Sequence, residues 1–180
     1  MKNNKKIFVS ACACNPNMGS EPGVGWHWVL EMAKYFELWV MVHEAARADI
    51  ELAISKMNNP PNIHFVYTRI PFNSWFSNNG SFRLVRTYYC IWTYLSDSVV
   101  KKTMQENDIH IFHHLTFGNA IWAVSRYGQT QKFIWGPIGG VEVISEEYAK
   151  HYDFKSRVFE WLRSCLLYTS PSPRDRTRSR

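Results

Sequence analysis

Apolar positions along this chain alternate between a period suited to strands and one suited to helices. Lys6 to Cys14 (KIFVSACAC) is a short run of apolar and small residues closed by Asn15-Pro16, which predicts a buried first strand. The turn-rich NPNMGSEPGVG comes next. Trp26 to Phe36 then places Trp26, Val29, Leu30, Ala33 and Phe36 at helical spacing. Glu37 to His43 (ELWVMVH) predicts a second strand, and Ala45 to Met57 a second helix stopped by NNPPN. Ile63 to Ile70 predicts a third strand, followed by the loop PFNSWFSNNG. A long helix is expected from about Phe82 to Gln105, with Leu84, Tyr88, Ile91, Leu95 and Val99 as its inner stripe. Ile109 to Phe117 predicts a fourth strand, Ala120 to Tyr127 a short helix, and Lys132 to Trp135 a fifth strand. Ser145 is placed to cap a last helix, with Glu146 and Glu147 in its first turn where the helix dipole favours anions.

Strands and helices in regular alternation call for a parallel sheet with helices on both faces, a doubly wound, Rossmann-like α/β fold. A chain of 180 residues is long enough to bury one ordinary core. Its 46% hydrophobic and 20% charged residues fit a globular domain rather than a disordered one. No apolar run reaches the roughly 18 residues that span a bilayer, and the short one near the start reads as a strand, not a signal peptide. Four cysteines, at 12, 14, 90 and 165, show no zinc-like pairing. Cys12 and Cys14, two apart on a predicted strand, are expected to share a face as reduced thiols of a cytoplasmic protein.

The net charge of +6 raises nucleic acid or an anionic surface as partners, but its distribution weakens nucleic acid. The tail from Cys165 onward holds four arginines and one aspartate, leaving 17 of the 21 basic and 14 of the 15 acidic residues for the rest. That tail, CLLYTSPSPRDRTRSR, changes character abruptly. From Cys165 to Asp175 it resembles the in-frame translation of a transposon-based sequencing-library adapter. The expected division is therefore 1–164, an incomplete natural domain, and 165–180, a non-native tail set aside from fold reasoning.

Doubly wound sheets bind ligands outside the carboxyl ends of their strands, and three segments fall there. In MGSEPGVGWHW, Gly19, Gly23 and Gly25 allow close approach of a ligand to the backbone, where helix N–H groups can hold phosphate; a turn needed for tight packing is the alternative. In IFHHLTFGN, strand alternation sends His113 and His114 to opposite faces, one of them toward the crevice; a structural hydrogen-bonding role is the alternative. Neither these histidines nor His110 has a cysteine or carboxylate to complete a tetrahedral metal set, so no metal is expected. In WGPIGGVE, Pro137 fixes a turn and Gly139 and Gly140 clear space. Glu142 is either an acceptor for sugar hydroxyls or a charge beside the following helix.

Together, SACACNPNMGSEPGVGW, HHLTFGN and FIWGPIGG, in this order, resemble a subfamily of the group 1 (family 4) glycosyltransferases. The resemblance spans Lys6 to Arg163. It implies the N-terminal half of the GT-B architecture, in which two Rossmann-like domains face a cleft. It further implies retaining transfer of a sugar from a nucleotide-sugar donor to an acceptor hydroxyl in bacterial surface polysaccharide or glycolipid synthesis, without metal or resident cofactor. The resemblance places donor phosphates at Gly23 and Gly25 and makes His113 the best match to a histidine that contacts the donor sugar. Acceptor-side contacts fall on Ser20, Glu21, His114, Gly139, Gly140 and Glu142. Many relatives read D-x-x-H-x-H where this chain reads DIHIFHHL, so His113 takes the second histidine place counted from Asp108 and the first aligned on HHLT. The family's second domain carries paired glutamates and most of the nucleotide pocket, so 1–164 alone is expected to be inactive. Branched residues at Gly23 or Gly25 are expected to abolish transfer with the fold largely intact.

Two other readings are compatible with parts of the chain. A dinucleotide-dependent oxidoreductase would use an acid ending the second strand, where Glu44 stands, but the first loop lacks GxGxxG spacing. A non-catalytic membrane- or partner-binding module would use Phe72, Trp75, Phe76, Arg83 and Arg86 in a headgroup layer; burial of these aromatics in the core is the alternative, and the favoured one. Many relatives of the resembled family use lipid-linked acceptors, so peripheral contact with the inner membrane also accords with the transferase reading.

Overall fold

The computed structural model describes residues 5–70, 85–119, 122–139 and 144–169. In chain order its elements are β1 (Lys6–Ser10), α1 (Ser20–Ala33), β2 (Glu37–His43), α2 (Arg47–Ser55), β3 (Ile63–Thr68), α3 (Val85–Leu95), α4 (Asp97–Glu106), β4 (Ile111–His114), β5 (Lys132–Trp135), α5 (Glu146–Ala149) and α6 (Phe154–Thr169). Two short 3₁₀ turns, Glu44–Ala46 and Gly128–Thr130, precede α2 and β5. All strand pairings are parallel, in the order β3-β2-β1-β4-β5. The chain is α/β, with the doubly wound, Rossmann-like sheet that the alternating pattern predicts.

Central strands are buried on both faces, so β1 and β2 read as nearly unbroken apolar runs. One face packs aliphatic side chains, Ile7, Val9, Leu38, Val40 and Val42, against Trp26 and Val29 of α1 and Ile50 of α2. The other packs Phe8, Trp39, Met41 and Phe112 against Tyr88, Tyr89 and Trp92 of α3 and Val100 and Met104 of α4. At the sheet edge β5 reverts to alternation, with Lys132 and Ile134 exposed.

Several boundaries differ from the sequence reading. The first helix begins at Ser20, not Trp26, because Gly19 is an extended N-cap and Pro22 sits in the first turn, where its missing N–H costs nothing. β1 stops at Ser10, and the turn beyond it breaks the expected alternation: Cys12 joins the aromatic face and Cys14 the aliphatic one. The expected long helix is two, α3 and α4, divided at Ser96. Its buried positions are Tyr88, Tyr89, Trp92, Thr93, Val100 and Met104, while Ile91 and Leu95 are exposed. Large aromatic surfaces gain more by burial than the aliphatic stripe does, and the break at Ser96 re-phases α4. Of that stripe, Leu84 lies outside the described residues.

Residues 122–127 are not helical. Asp97 at the start of α4 takes the Ser125 hydroxyl (2.5 Å) and the Tyr127 amide (3.2 Å), which draws this segment into a turn. Ser145 directly precedes α5, its carbonyl accepting from the Tyr148 amide at 3.1 Å. The chain divides into two compact units, residues 1–118 with 122–137, and 119–121 with 138–180. In the second unit α6 continues across Ser164 to Thr169, so the change of composition at Cys165 is not a break in the helix. No helix among the described residues is long and apolar enough to cross a membrane.

Candidate functional site

The connection from β1 runs to one side of the sheet and β4 returns on the other, so the topological switch lies between β1 and β4. In doubly wound sheets ligands bind beside such a switch; here the segments that follow the two strands are tied to each other. The β1–α1 segment is held from α2: Asp49 accepts from the side-chain amides of Asn15 and Asn17, each at 2.8 Å. Asn15 in turn accepts from the Asn17 amide, also at 2.8 Å, closing a local turn.

Across the switch, the Leu115 amide extends the β4 ladder by donating to Ser10 O at 3.0 Å. Beyond it, the Thr116 hydroxyl accepts from the Ala13 amide (3.1 Å), and the Phe117 amide donates to a Glu21 carboxylate oxygen. Phe117 has a φ of 56°, a left-handed conformation that is sterically disfavoured for a residue with a Cβ. This diversion ends β4 at His114, three residues before the sequence reading placed its end. Thr116, Phe117 and Asp49 were not singled out from sequence; only the Asn-Pro-Asn turn hinted at the anchor on α2.

Gly23 and Gly25 lie inside α1. A Cβ on Gly23 would sit 2.5 Å from the Met18 carbonyl oxygen, and one on Gly25 would meet the Ala13 carbonyl and the Thr116 methyl group, the latter at 2.8 Å. The close approach that both glycines permit is therefore to the chain's own backbone. A branched residue at either position would displace packed carbonyls, so the expectation of an intact fold after such a change is revised. Ser20 is exposed at the start of α1, with a φ of 56°.

Alternation along β4 sends the two histidines to opposite faces: Ile111 and Leu115 pack on the aliphatic side and Phe112 on the aromatic side. His113, 6% exposed, donates from Nε2 to the Gly136 carbonyl at 2.9 Å, and its Nδ1 has no hydrogen-bond partner. Burial lowers its pKa, partly offset by that carbonyl. His114, 1% exposed, meets the Tyr89 hydroxyl through Nε2 at 2.9 Å, while Tyr89 donates to the Ala123 carbonyl at 3.0 Å. Burial pushes the His114 pKa down to about 4, partly offset by the Phe117 backbone and furthered by His113. Both rings are neutral near pH 7. Nδ1 of His114 is likewise buried without a hydrogen-bond partner; the rings differ in their Nε2 partners, Gly136 for His113 and Tyr89 for His114, which also lies between Tyr89 and Trp135.

Gly139, exposed, pairs with Asn119 in an isolated parallel bridge within the second unit. Gly140 and Glu142 lie outside the described residues, as do Phe72, Trp75, Phe76 and Arg83. Arg86 places its guanidinium over the Trp122 ring at 5.4 Å. Glu44, the acid that ends β2, pairs with Arg47 at 3.0 Å. Cys12 and Cys14 are buried free thiols. Burial pushes both up, Cys12 further aided by Glu21 and Cys14 to about 12, so neither forms a reactive thiolate. Among the described residues no three His, Cys, Asp or Glu side chains converge as a metal site would require.

In comparisons with known proteins, no family model, no curated protein and no solved structure matches the chain.

Proposed function

We propose that this chain is the acceptor-side, N-terminal half of a GT-B glycosyltransferase, which transfers a sugar from a nucleotide-sugar donor to an acceptor hydroxyl with retention. One observation carries the reading. Two of the three segments that carry the family resemblance, SACACNPNMGSEPGVGW and HHLTFGN, leave the adjacent strands β1 and β4 on either side of the topological switch. Ligands of doubly wound sheets bind at that point. His113, whose burial keeps the ring neutral and whose Nδ1 is buried without a partner, stands on β4 at that point. Donor phosphates would reach the start of α1, and a glycan or lipid-linked acceptor would occupy this half of the cleft. Contact with the inner face of the cytoplasmic membrane belongs to the same proposal.

The test is to read the source gene past the Ser164 codon and express the complete product. A second Rossmann-like domain is expected there. The complete protein should release nucleoside diphosphate from a panel of nucleotide-sugars when membrane extract supplies acceptors, and the 180-residue chain should not. A stop codon within a few residues of Ser164, or a complete product inert toward the whole panel, would overturn the proposal.

A further inference from the structure

We propose that Glu21 is a positioning residue: from α1 it holds the Phe117 amide and so presets the segment after β4 at the topological switch. The consequence for ligands rests on the proposed function; the latch itself does not. Phe117 is gripped from both sides of the sheet. Its amide donates to the Glu21 carboxylate on α1, 96 residues away in sequence. Its ring lies 4.6 Å from Tyr89 of α3 and 5.7 Å from Trp122, centroid to centroid.

Neither grip is accidental in position. The φ of 56° at Phe117 is disfavoured for a side chain with a Cβ, so surrounding contacts must hold it. A charge-assisted bond to the amide is the stronger kind of neutral-donor contact, and an acid in the first turn of a helix is favoured by the helix dipole. α1 reaches the β4 segment at all because Gly25 lets it close on Ala13 and Thr116, which are themselves joined at 3.1 Å. Removing the carboxylate leaves the Phe117 amide without its acceptor, while the sheet below keeps its own ladder.

The experiment uses the ¹⁵N-labelled 180-residue chain, followed by NMR amide shifts and hydrogen exchange. In the wild type the Phe117 amide proton should resonate far downfield and exchange slowly. Glu21→Gln keeps an acceptor but removes the charge, so the resonance should move upfield while slow exchange is retained. Glu21→Ala should speed exchange at Thr116, Phe117 and Gly118 at least tenfold, with Val9 and Val40 unchanged. An unmoved Phe117 resonance in Glu21→Gln overturns the latch, and that readout stands even if Glu21→Ala fails to fold. Unchanged protection of Phe117 in Glu21→Ala, or loss spread equally to Val9 and Val40, also overturns it. No nucleotide-sugar enters the measurement, so a failed latch and a failed transferase reading remain distinguishable.

Discussion

The two faces of the sheet are built from different materials. Toward α1 and α2 lie mainly side chains with volume but no polar atoms, Ile7, Val9, Leu38, Val40, Val42, Val29 and Ile50, with Trp26 beside them. Toward α3 and α4 lie Phe8, Trp39, Tyr88, Tyr89, Trp92 and Phe112, several with a hydroxyl or indole N–H that must find a partner. Tyr89 meets His114 and Ala123, Trp92 donates to the Thr68 carbonyl at 3.4 Å, and Tyr88 contacts His43. The aliphatic face is specified by fit, and so it depends on glycine where a helix must come close. The aromatic face is specified by fit and by hydrogen bonds to its hydroxyls and indole N–H groups. β4 contributes one histidine to each, which is why neighbours in sequence differ in surroundings.

That contrast can be broken most strongly on the aromatic side. Trp92 is fully buried, so Trp92→Ala should cost about 3–5 kcal/mol in urea unfolding. A loss under 1 kcal/mol would show that this face does not carry the fold. Next comes acidity. An unfolded histidine takes up a proton near its ordinary value of 6.5, whereas folded His114 resists until about 4. Between those limits the unfolded state binds more protons, so the His114 contribution is full above pH 6.5 and declines as pH falls toward 4, by about 3 kcal/mol, with His113 and His43, also lowered by burial, adding in the same direction. Unfolding titrations across this window should show the slope, and His114→Phe should reduce it by the His114 share. An unaltered slope in that variant would place the titrating group elsewhere.

On the aliphatic side the sensitive position is Gly25. Gly25→Val forces a Cβ onto the Ala13 carbonyl and the Thr116 methyl, and overpacking of this kind costs about 1–3 kcal/mol. A wild-type melting temperature for Gly25→Val would mean that α1 can withdraw freely from the β4 segment. The smallest expected effect is at the anchor on α2. Asp49→Ala should cost only about 1 kcal/mol, since its bonds to Asn15 and Asn17 are partly solvated. Exchange should quicken at Asn17 and Met18 and not in β2.

Most of these effects fall on features that periodicity does not encode. Strand existence and the order of elements are legible because β1, β2 and β5 carry plain apolar patterns; β2 and β5 match their expected bounds. Termini are not, because they are set by long-range partners: Thr116 turns to Ala13, Asp97 captures Ser125, and Glu21 captures Phe117. The helical stripe expected over α3 is misphased because Tyr89 and Trp92 outweigh Ile91 and Leu95 in buried surface. For the candidate site, alternation correctly separates His113 from His114. It cannot foresee that Gly23 and Gly25 are closed against by the chain's own carbonyls, since glycine in sequence reports close approach without naming what approaches.

If this fold serves glycosyl transfer at the β1–β4 switch, the anomeric configuration of the product made by the complete protein reports it most directly. Proton NMR reads that configuration, beside the same assay of His113→Ala and His114→Ala. The product should keep the donor's anomeric configuration. Turnover should be lost mainly in His113→Ala, by about 2–4 kcal/mol of barrier if its hydrogen bond acts like an aimed oxyanion donor. An inverted product, or full turnover in His113→Ala with its melting curve unchanged, would refute glycosyl transfer of this kind at the switch.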